Sequence, residues 1–133
     1  MIDAKNLIYC GIVTFVLATS PAAAQVILGT WLSPPDGKKQ TGHVEVRRCG
    51  KAFCGTMVRT FDQHGNPITT KNTGRKLIWD FIEVTPGTYR DGLAYLPIMN
   101  MNVRPKIDVT GDRLVIRGCI GPVCKKQIWI RLH

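Results

Sequence analysis

The sequence predicts an all-β protein, a small antiparallel up-and-down β-barrel of about eight strands, with a β-sandwich as the alternative. Residues 25–133 contain 29 Val, Ile and Thr residues but only 11 Ala, Leu and Glu residues, and β-branched side chains favour strands over helices. Twelve glycines and seven prolines interrupt the same residues at short intervals, as a sheet of many short strands requires. Closure into a barrel removes exposed edge strands, which are prone to aggregate.

Eight strands are predicted in order along the chain. They are expected at residues 26–32, 43–49, 54–61, 77–84, 92–96, 99–107, 113–119 and 124–132. Clusters of Gly, Pro, Asn and Asp predict turns at residues 34–37, 64–67, 86–87 and 111–112. The polar residues 62–76 are predicted to form a long loop. The strand at 77–84 is the least regular, because its apolar residues also fit the spacing of a helical turn.

Three of the strands alternate between apolar and polar side chains, which is typical of an antiparallel sheet with one buried face. In the second and seventh strands, the residues predicted to be buried are Val44, Val46, Leu114 and Ile116. In the last strand they are Ile128, Ile130 and Leu132, which leaves Gln127, Trp129 and Arg131 on the polar face.

Residues 1–24 are predicted to be a secretory signal peptide that is cleaved, which leaves residues 25–133 as a single domain. Lys5 precedes the apolar run 7–18, and Ala22 and Ala24 provide small residues at the −3 and −1 positions. A membrane anchor is the alternative, but a spanning helix needs roughly 20 apolar residues and this run is shorter. We therefore expect a periplasmic or secreted protein with no transmembrane segment after cleavage.

Four cysteines remain after cleavage, and they are arranged as two C-x4-C units with strand-like flanks. A short hairpin loop of four residues brings its flanking residues face to face, within reach of a disulfide bond. We therefore expect the disulfides Cys49–Cys54 and Cys119–Cys124, which export makes chemically reasonable. A four-cysteine zinc site is the alternative, although zinc sites prefer tighter pairs, and catalytic redox pairs usually have the spacing C-x-x-C.

Gly29-Thr30-Trp31, on the first predicted strand, resembles the G-x-W signature of lipocalin-like barrels. In that superfamily the tryptophan closes one end of the barrel, and an arginine from the last strand packs across it. The resemblance assigns these barrel-closing positions to Trp31 and Arg131. A tryptophan that simply belongs to the core is the alternative.

A wider pattern resembles the exported bacterial family called domain of unknown function 2147. The matching stretches are Gly29-Thr30-Trp31-Leu32, residues 44–50, residues 53–55, residues 112–119, Cys124 and residues 127–131. These stretches occur in the same order as in the family and lie towards both ends of residues 25–133, whereas residues 77–84 match the family pattern only loosely. The resemblance implies a small exported protein with a lipocalin-like barrel, and it supplies no activity, cofactor or catalytic residue.

No arrangement of residues typical of a catalytic or metal site is found in the sequence, so an enzyme, a cofactor and a bound metal are not expected. A Ser-His-Asp triad would need Ser33, which precedes two prolines in a predicted turn. The sequence contains neither a glycine-rich phosphate loop nor a helical pair of histidines for zinc.

The net charge of +9 predicts an anionic partner. Export argues against nucleic acid and favours an anionic component of the cell envelope. Six residues are candidates for the lining of a lumen: Trp79, Phe81, Tyr95, Met99, Met101 and Trp129. The expected function is therefore a binding protein for a small apolar or amphipathic molecule, or for an anionic envelope molecule. The alternative is a protein-interaction or inhibitor module of the cell envelope.

Overall fold

The structure, a computed structural model, describes Thr14, residues 26–97 and residues 100–133. The predicted signal peptide, apart from Thr14, lies outside the described residues. Within these ranges the chain forms 11 strands: β1 Gly29–Leu32, β2 Thr41–Cys49, β3 Ala52–Phe61, β4 Pro67–Ile68, β5 Lys76–Thr85, β6 Thr88–Arg90, β7 Leu93–Leu96, β8 Met101–Val103, β9 Lys106–Thr110, β10 Arg113–Ile120 and β11 Val123–Leu132. No helix in the described ranges has the length and apolar character needed to cross a membrane.

The strands close into an antiparallel barrel, in the ring order β1, β2, β3, β5, β6, β9, β10 and β11. The ring is completed where β11 returns to β1, with Leu132 opposite Thr30, and where β3 meets β5, with Phe53 opposite Phe81. The remaining strands are short extensions, since β4 pairs with the end of β3, β7 pairs with β5, and β8 pairs with β7. The predicted eight-stranded up-and-down barrel is confirmed, and the sandwich alternative is wrong.

β6 and β7 are two halves of one bent strand. β6 pairs with the end of β5, and β7 pairs with its beginning. The bend lies at Asp91, which has a φ of 66°, and at Gly92. A side chain at Gly92 would overlap the buried ring of Phe81, so the glycine allows the backbone to lie directly against this ring.

Each of the eight predicted strands overlaps a strand of the structure, and residues 77–84 belong to β5 rather than to a helical turn. The predicted loop 62–76 contains the two-residue strand β4. Asp62 holds the β3–β4 turn, because its carboxylate accepts hydrogen bonds from the backbone N–H groups of His64 (2.8 Å) and Asn66 (2.9 Å). These bonds, chiefly that from Asn66, lower the pKa of Asp62.

The two cysteine-bearing hairpins turn more tightly than the sequence suggested. Cys49 lies opposite Ala52, and Ile120 lies opposite Val123, so each turn has two residues instead of the predicted four. Cys119 therefore lies directly opposite Cys124 within the ladder.

The inward face of β11 is the reverse of the predicted one. Trp129 is buried, with 3% of its surface exposed, whereas Ile130 is 44% exposed. Trp129 lies opposite Leu114 and Arg131 lies opposite Trp31, both of which are fully buried. Alternation along a strand separates its residues into two faces. The prediction took the more apolar face of β11 as the buried one, and this was wrong because the inward face also carries the polar side chains Gln127 and Arg131.

The core fills one half of the barrel with large apolar side chains. Those that are fully buried are Trp31, Tyr89, Phe81, Ile27, Ile78, Ile107, Leu114 and Val44. Phe53 packs edge-on against Tyr89, with ring centroids 5.4 Å apart. This filled half supports the other half, which contains a cavity.

Candidate functional site

The antiparallel strands place their connections alternately at two ends of the barrel. Residues 50–51, 86–87 and 111–112 lie at the end that we call the closed end, together with residues 26–28. Residues 33–40, 62–75 and 121–122 lie at the other end, which we call the open end. The two ends therefore carry different sets of side chains, and each set has its own chemistry.

Trp31 and Arg131 seal the closed end. The guanidinium of Arg131 lies 4.3 Å from the centre of the Trp31 ring, an arrangement favourable for a cation–π interaction. Arg131 also donates hydrogen bonds to the carbonyls of Leu28 (2.9 Å) and Val26, and Trp31 Nε1 donates to the carbonyl of Ile27 (2.9 Å). The chain that enters β1 is thereby attached to the last strand, β11.

The buried Tyr89 and the partly buried Glu83 form a polar pair in the filled half. The hydroxyl of Tyr89 donates a hydrogen bond to Glu83 Oε2 at 2.9 Å. Burial is the main cause that raises the pKa of Tyr89, and the carboxylate of Glu83 raises it further. Tyr89 therefore remains a neutral donor under ordinary conditions and serves to join β6 to β5.

The open half encloses a cavity of about 380 Å³. Its base is apolar and consists of side chains from β5, β7 and β11: Leu77, Ile78, Ala94 and Trp129. Met57, Tyr95, Val103, Pro105, Ile116 and Ile120 continue this lining towards the mouth. The cavity is therefore a cup whose floor is the top of the packed core.

Small inward residues create this space. Ala94 on β7 and Gly118 on β10 both contribute to the lining, and neither fills the barrel as a large side chain would. A Cβ at Gly118 would lie 3.4 Å from Pro105 and 4.0 Å from Val103, which are lining residues themselves. A larger side chain at position 118 would therefore project into the cavity.

One wall of the cavity is polar and is formed by the segment before β5. Backbone hydrogen bonds from Gly74 to Met57 (2.6 Å) and from Met57 to Arg75 (2.9 Å) attach this segment to β3. The hydroxyls of Thr60 and Thr73 lie 2.8 Å apart and attach it further. Asn72 lines the cavity here, and its buried Oδ1 accepts no hydrogen bond from any of the described residues.

The mouth of the cavity is charged. Lys125 and Lys126 border it from β11, and Asp36 borders it from the loop between β1 and β2. Gln127 also faces the cavity, and its Oε1 accepts a hydrogen bond from Trp129 Nε1 at 2.9 Å. The polarity of the lining therefore increases from the floor towards the mouth.

The predicted lining residues occupy different places. Tyr95 and Trp129 line the cavity, whereas Phe81 is fully buried in the packed core. Trp79 and Met101 do not contribute to the cavity, and Met101 is 38% exposed. Met99 lies outside the described residues. The prediction favoured large aromatic and sulfur-containing residues, and it missed Leu77, Ile78, Ala94, Val103, Ile116 and Gly118.

The cysteines are paired at disulfide distance within each hairpin, and one pair lies at each end of the barrel. The Cα atoms of Cys49 and Cys54 are 5.9 Å apart at the closed end, and those of Cys119 and Cys124 are 3.9 Å apart at the open end. Cysteine pairs of this kind are typical of exported proteins. Each pair cross-links a hairpin just below its turn.

The hydroxyl of Ser33 is engaged by the backbone of Gly42. Ser33 lines the cavity, but its hydroxyl accepts a hydrogen bond from the N–H of Gly42 (3.0 Å) and donates to the carbonyl of the same residue (3.3 Å). These bonds connect β1 to β2, as expected of a turn serine. Across the described residues, no group of three His, Cys, Asp or Glu side chains is arranged to hold a metal ion.

Comparison with known structures identifies a likeness of fold. The barrel is similar to a solved protein, HP1028 from the human pathogen Helicobacter pylori, which is described as belonging to the lipocalin family. The TM-score is 0.63 and the sequence identity is 17%, and the match covers 80% of this chain and 83% of the other. Because the identity is low, this likeness shows the fold alone.

Comparison with known sequences identifies the family. No protein of curated function matches the sequence significantly. A family model described as "Uncharacterized protein conserved in bacteria (DUF2147)" matches residues 29–131, which span β1 to β11. The matched region includes the closed-end seal, both hairpins and the cavity. The chain therefore belongs to this bacterial family, DUF2147, and its fold is a lipocalin-like barrel.

Proposed function

We propose that the protein binds a small apolar or amphipathic molecule in the open-half cavity and does not alter it chemically. The observation that carries this proposal is the cavity itself, an apolar cup of about 380 Å³ on a packed floor. Sites for small ligands in proteins are mostly apolar and measure roughly 300–1,000 Å³. An eight-stranded barrel has room for one small ligand when its interior is not filled by side chains.

The distribution of polar groups favours an amphipathic ligand. The apolar part of the molecule would contact Trp129 and Ile78 at the floor, where burial of apolar surface provides the binding free energy. The polar wall at Asn72 and Thr70 would face a hydroxyl or amide of the ligand, because small-ligand sites use a few polar side chains to fix orientation. Lys125 at the mouth favours a ligand whose outer end is negatively charged.

The proposed location of this binding is the periplasm or the exterior of the cell. Support comes from the two cysteine pairs and from the predicted signal peptide at residues 1–24. In that location, lipids and other amphipathic envelope molecules with anionic groups are the available ligands. A role without catalysis is supported by Ser33, whose hydroxyl is occupied in backbone hydrogen bonds.

The first experiment asks what the protein carries. The protein is purified under native conditions and extracted with organic solvent, and the extract is analysed by mass spectrometry. We expect one amphipathic compound in a stoichiometric amount. If neither a co-purified compound nor a titrated fatty acid or lysophospholipid binds, the proposal is wrong.

The second experiment places the ligand in the cavity. Gly118→Leu projects a side chain into the cup, so we expect at least a tenfold weaker affinity for the compound. Thr110→Leu is the matched control, because it adds a similar bulk on the exposed closed-end part of β9. Isothermal titration measures both, and equal affinities for the two variants would place the ligand elsewhere.

A further inference from the structure

The hairpin of β10 and β11 projects beyond the barrel at the open end. β9 pairs with β10 only as far as Arg117, and β1 pairs with β11 only from Ile130 onwards. The residues beyond these points pair only with each other, and residues 121–127 are all exposed. This two-stranded ribbon, residues 118–127, is cross-linked by Cys119 and Cys124.

The tip of this ribbon is apolar, and all of it except the partly buried Ile120 is exposed. It consists of Ile120, Gly121, Pro122 and Val123, and 56% of the surface of Val123 is exposed. Ile120 and Val123 also border the mouth of the cavity. Burial of this apolar tip against an apolar phase would be favourable.

A row of cations crosses the base of the ribbon, on the outside of the barrel. Arg117 lies directly opposite Lys106 on one neighbouring strand and opposite Lys126 on the other. We call these three residues the cation row. All three are exposed, and none forms a salt bridge within the described part of the chain.

Like charges directly opposite each other destabilise a sheet, so this row has a cost for the isolated protein. The closed half differs, because several of its cations have acidic partners. Arg131 lies 3.4 Å from Asp112, and Arg47 is paired with Glu45. The three residues of the cation row have no such acidic partner in the described residues, so they offer their charge to an anionic surface.

We propose that the open end docks on an anionic lipid bilayer, with the ribbon tip inserted and the cation row at the level of the headgroups. Arg117 precedes Ile120 by three residues, which corresponds to about 10 Å along a strand. Interfacial segments insert their apolar side about 5–10 Å into a membrane. The row would thus contact anionic headgroups when the tip reaches the acyl boundary.

The apolar tip favours a bilayer over an acidic polysaccharide. A polysaccharide offers charge to the cation row, but it offers no apolar phase to Val123 and Pro122. A docked bilayer would also adjoin the mouth of the cavity, so an amphipathic molecule could pass between the two without crossing water. The docking goes beyond ligand binding and does not depend on it.

Vesicle flotation tests the proposal. Purified protein is mixed with vesicles of phosphatidylcholine, either alone or with about 30% phosphatidylglycerol, at low and at physiological salt. We expect binding to the anionic vesicles only, and weaker binding in salt. Neutralising the cation row with Lys106→Gln, Arg117→Gln and Lys126→Gln should weaken binding about a hundredfold, at about fivefold for each charge.

The matched control removes the same charge from the closed end. Arg47→Gln, Lys51→Gln and Arg113→Gln replace three exposed cations there, and we expect less than a fivefold effect. Val123→Ser keeps every charge and should weaken binding about tenfold, because the tip loses apolar surface. Circular dichroism establishes that each variant is folded.

Three results would overturn the proposal. If both triple variants lose binding equally, the attraction depends on net charge and not on the open end. If a soluble acidic polysaccharide binds, and if this binding is weakened by the cation-row variant but not by Val123→Ser, the partner is a glycan. If the wild type ignores anionic vesicles yet binds its ligand, the docking is wrong while the proposed function stands.

Discussion

At the scale of single residues, Trp31 connects three parts of the barrel. Its ring is fully buried, its Nε1 donates to the carbonyl of Ile27, and Arg131 lies across its face. One side chain therefore links the chain entering β1, the last strand and the packed core.

Trp31→Ala should lower the free energy of unfolding by roughly 3–5 kcal/mol, because it removes a large buried ring and leaves a cavity. Urea denaturation followed by circular dichroism measures this. Trp79→Ala is the control, since Trp79 is only partly buried, and it should cost less. A negligible loss for Trp31→Ala would contradict its role in closing the barrel.

Tyr89 predicts a pH dependence of stability. Burial raises the pKa of its hydroxyl in the folded state, whereas a tyrosine in the unfolded chain ionises near pH 10. The unfolded state therefore releases this proton first, and stability should decrease as the pH rises above about 10. Denaturation between pH 8 and pH 11 measures the slope. Tyr89→Phe should show a shallower decrease, and identical slopes would exclude this residue as the cause.

Sequence reasoning reached Trp31 and Arg131 but assigned the wrong side of β11 to the interior. Trp129 was placed outside because Gln127 and Arg131 share its face. Inward polar residues are tolerated near the barrel ends, where Arg131 reaches backbone carbonyls and Gln127 reaches the mouth. The useful signal was the resemblance itself, because an arginine that packs across Trp31 must point inward and so must Trp129.

At the scale of elements, the two cysteine pairs cross-link hairpins in different surroundings. Cys54 is buried, with 3% exposed, and its hairpin adjoins the packed half. Cys119 and Cys124 cross-link the ribbon at residues 118–127, which projects without lateral partners. The consequences of removing the two links should therefore differ.

Replacing Cys49 and Cys54 by serine should lower the free energy of unfolding by roughly 2 kcal/mol, as expected for a short closed loop. Replacing Cys119 and Cys124 should cost less overall, because the ribbon frays while the barrel stays folded. Hydrogen exchange should then become faster in residues 118–127 only. Peptide mapping of the wild type should recover both internal links, and a cross-link between the two hairpins would refute the assignment.

Two features that the sequence did not predict, the bend between β6 and β7 and the short strand β4, depend on contacts between residues distant in sequence. The bend at Asp91 and Gly92 arises where the backbone meets the ring of Phe81, which no local pattern reveals. β4 depends on the Asp62 turn and on two residues of β3, too short a pairing to produce any periodicity. By contrast, the alternation around Val44 and Leu114 was local, and those strands were predicted correctly.

At the scale of the whole molecule, the barrel has a packed half and a half that encloses the cavity. Composition indicated a closed sheet, but it did not show how much of the interior is filled. Ala94 and Gly118 create the space, and the signal in the sequence was the small size of inward residues. The predicted lining residues included Phe81 of the packed half as well as Trp129 of the cavity. Both are large and apolar, so the sequence alone did not distinguish a core side chain from a lining one.

The closed-end seal also determines how the molecule can be held. Arg131 binds the carbonyl of Val26, and Leu132 pairs with Thr30, so residue 26 and His133 emerge from the same end of the barrel. The mouth of the cavity lies at the other end. A tether attached after His133, whether an affinity tag on a sensor chip or a fused protein, would thus leave the mouth facing outward. Immobilised in this way, the protein presents its cavity and ribbon to solution in one orientation.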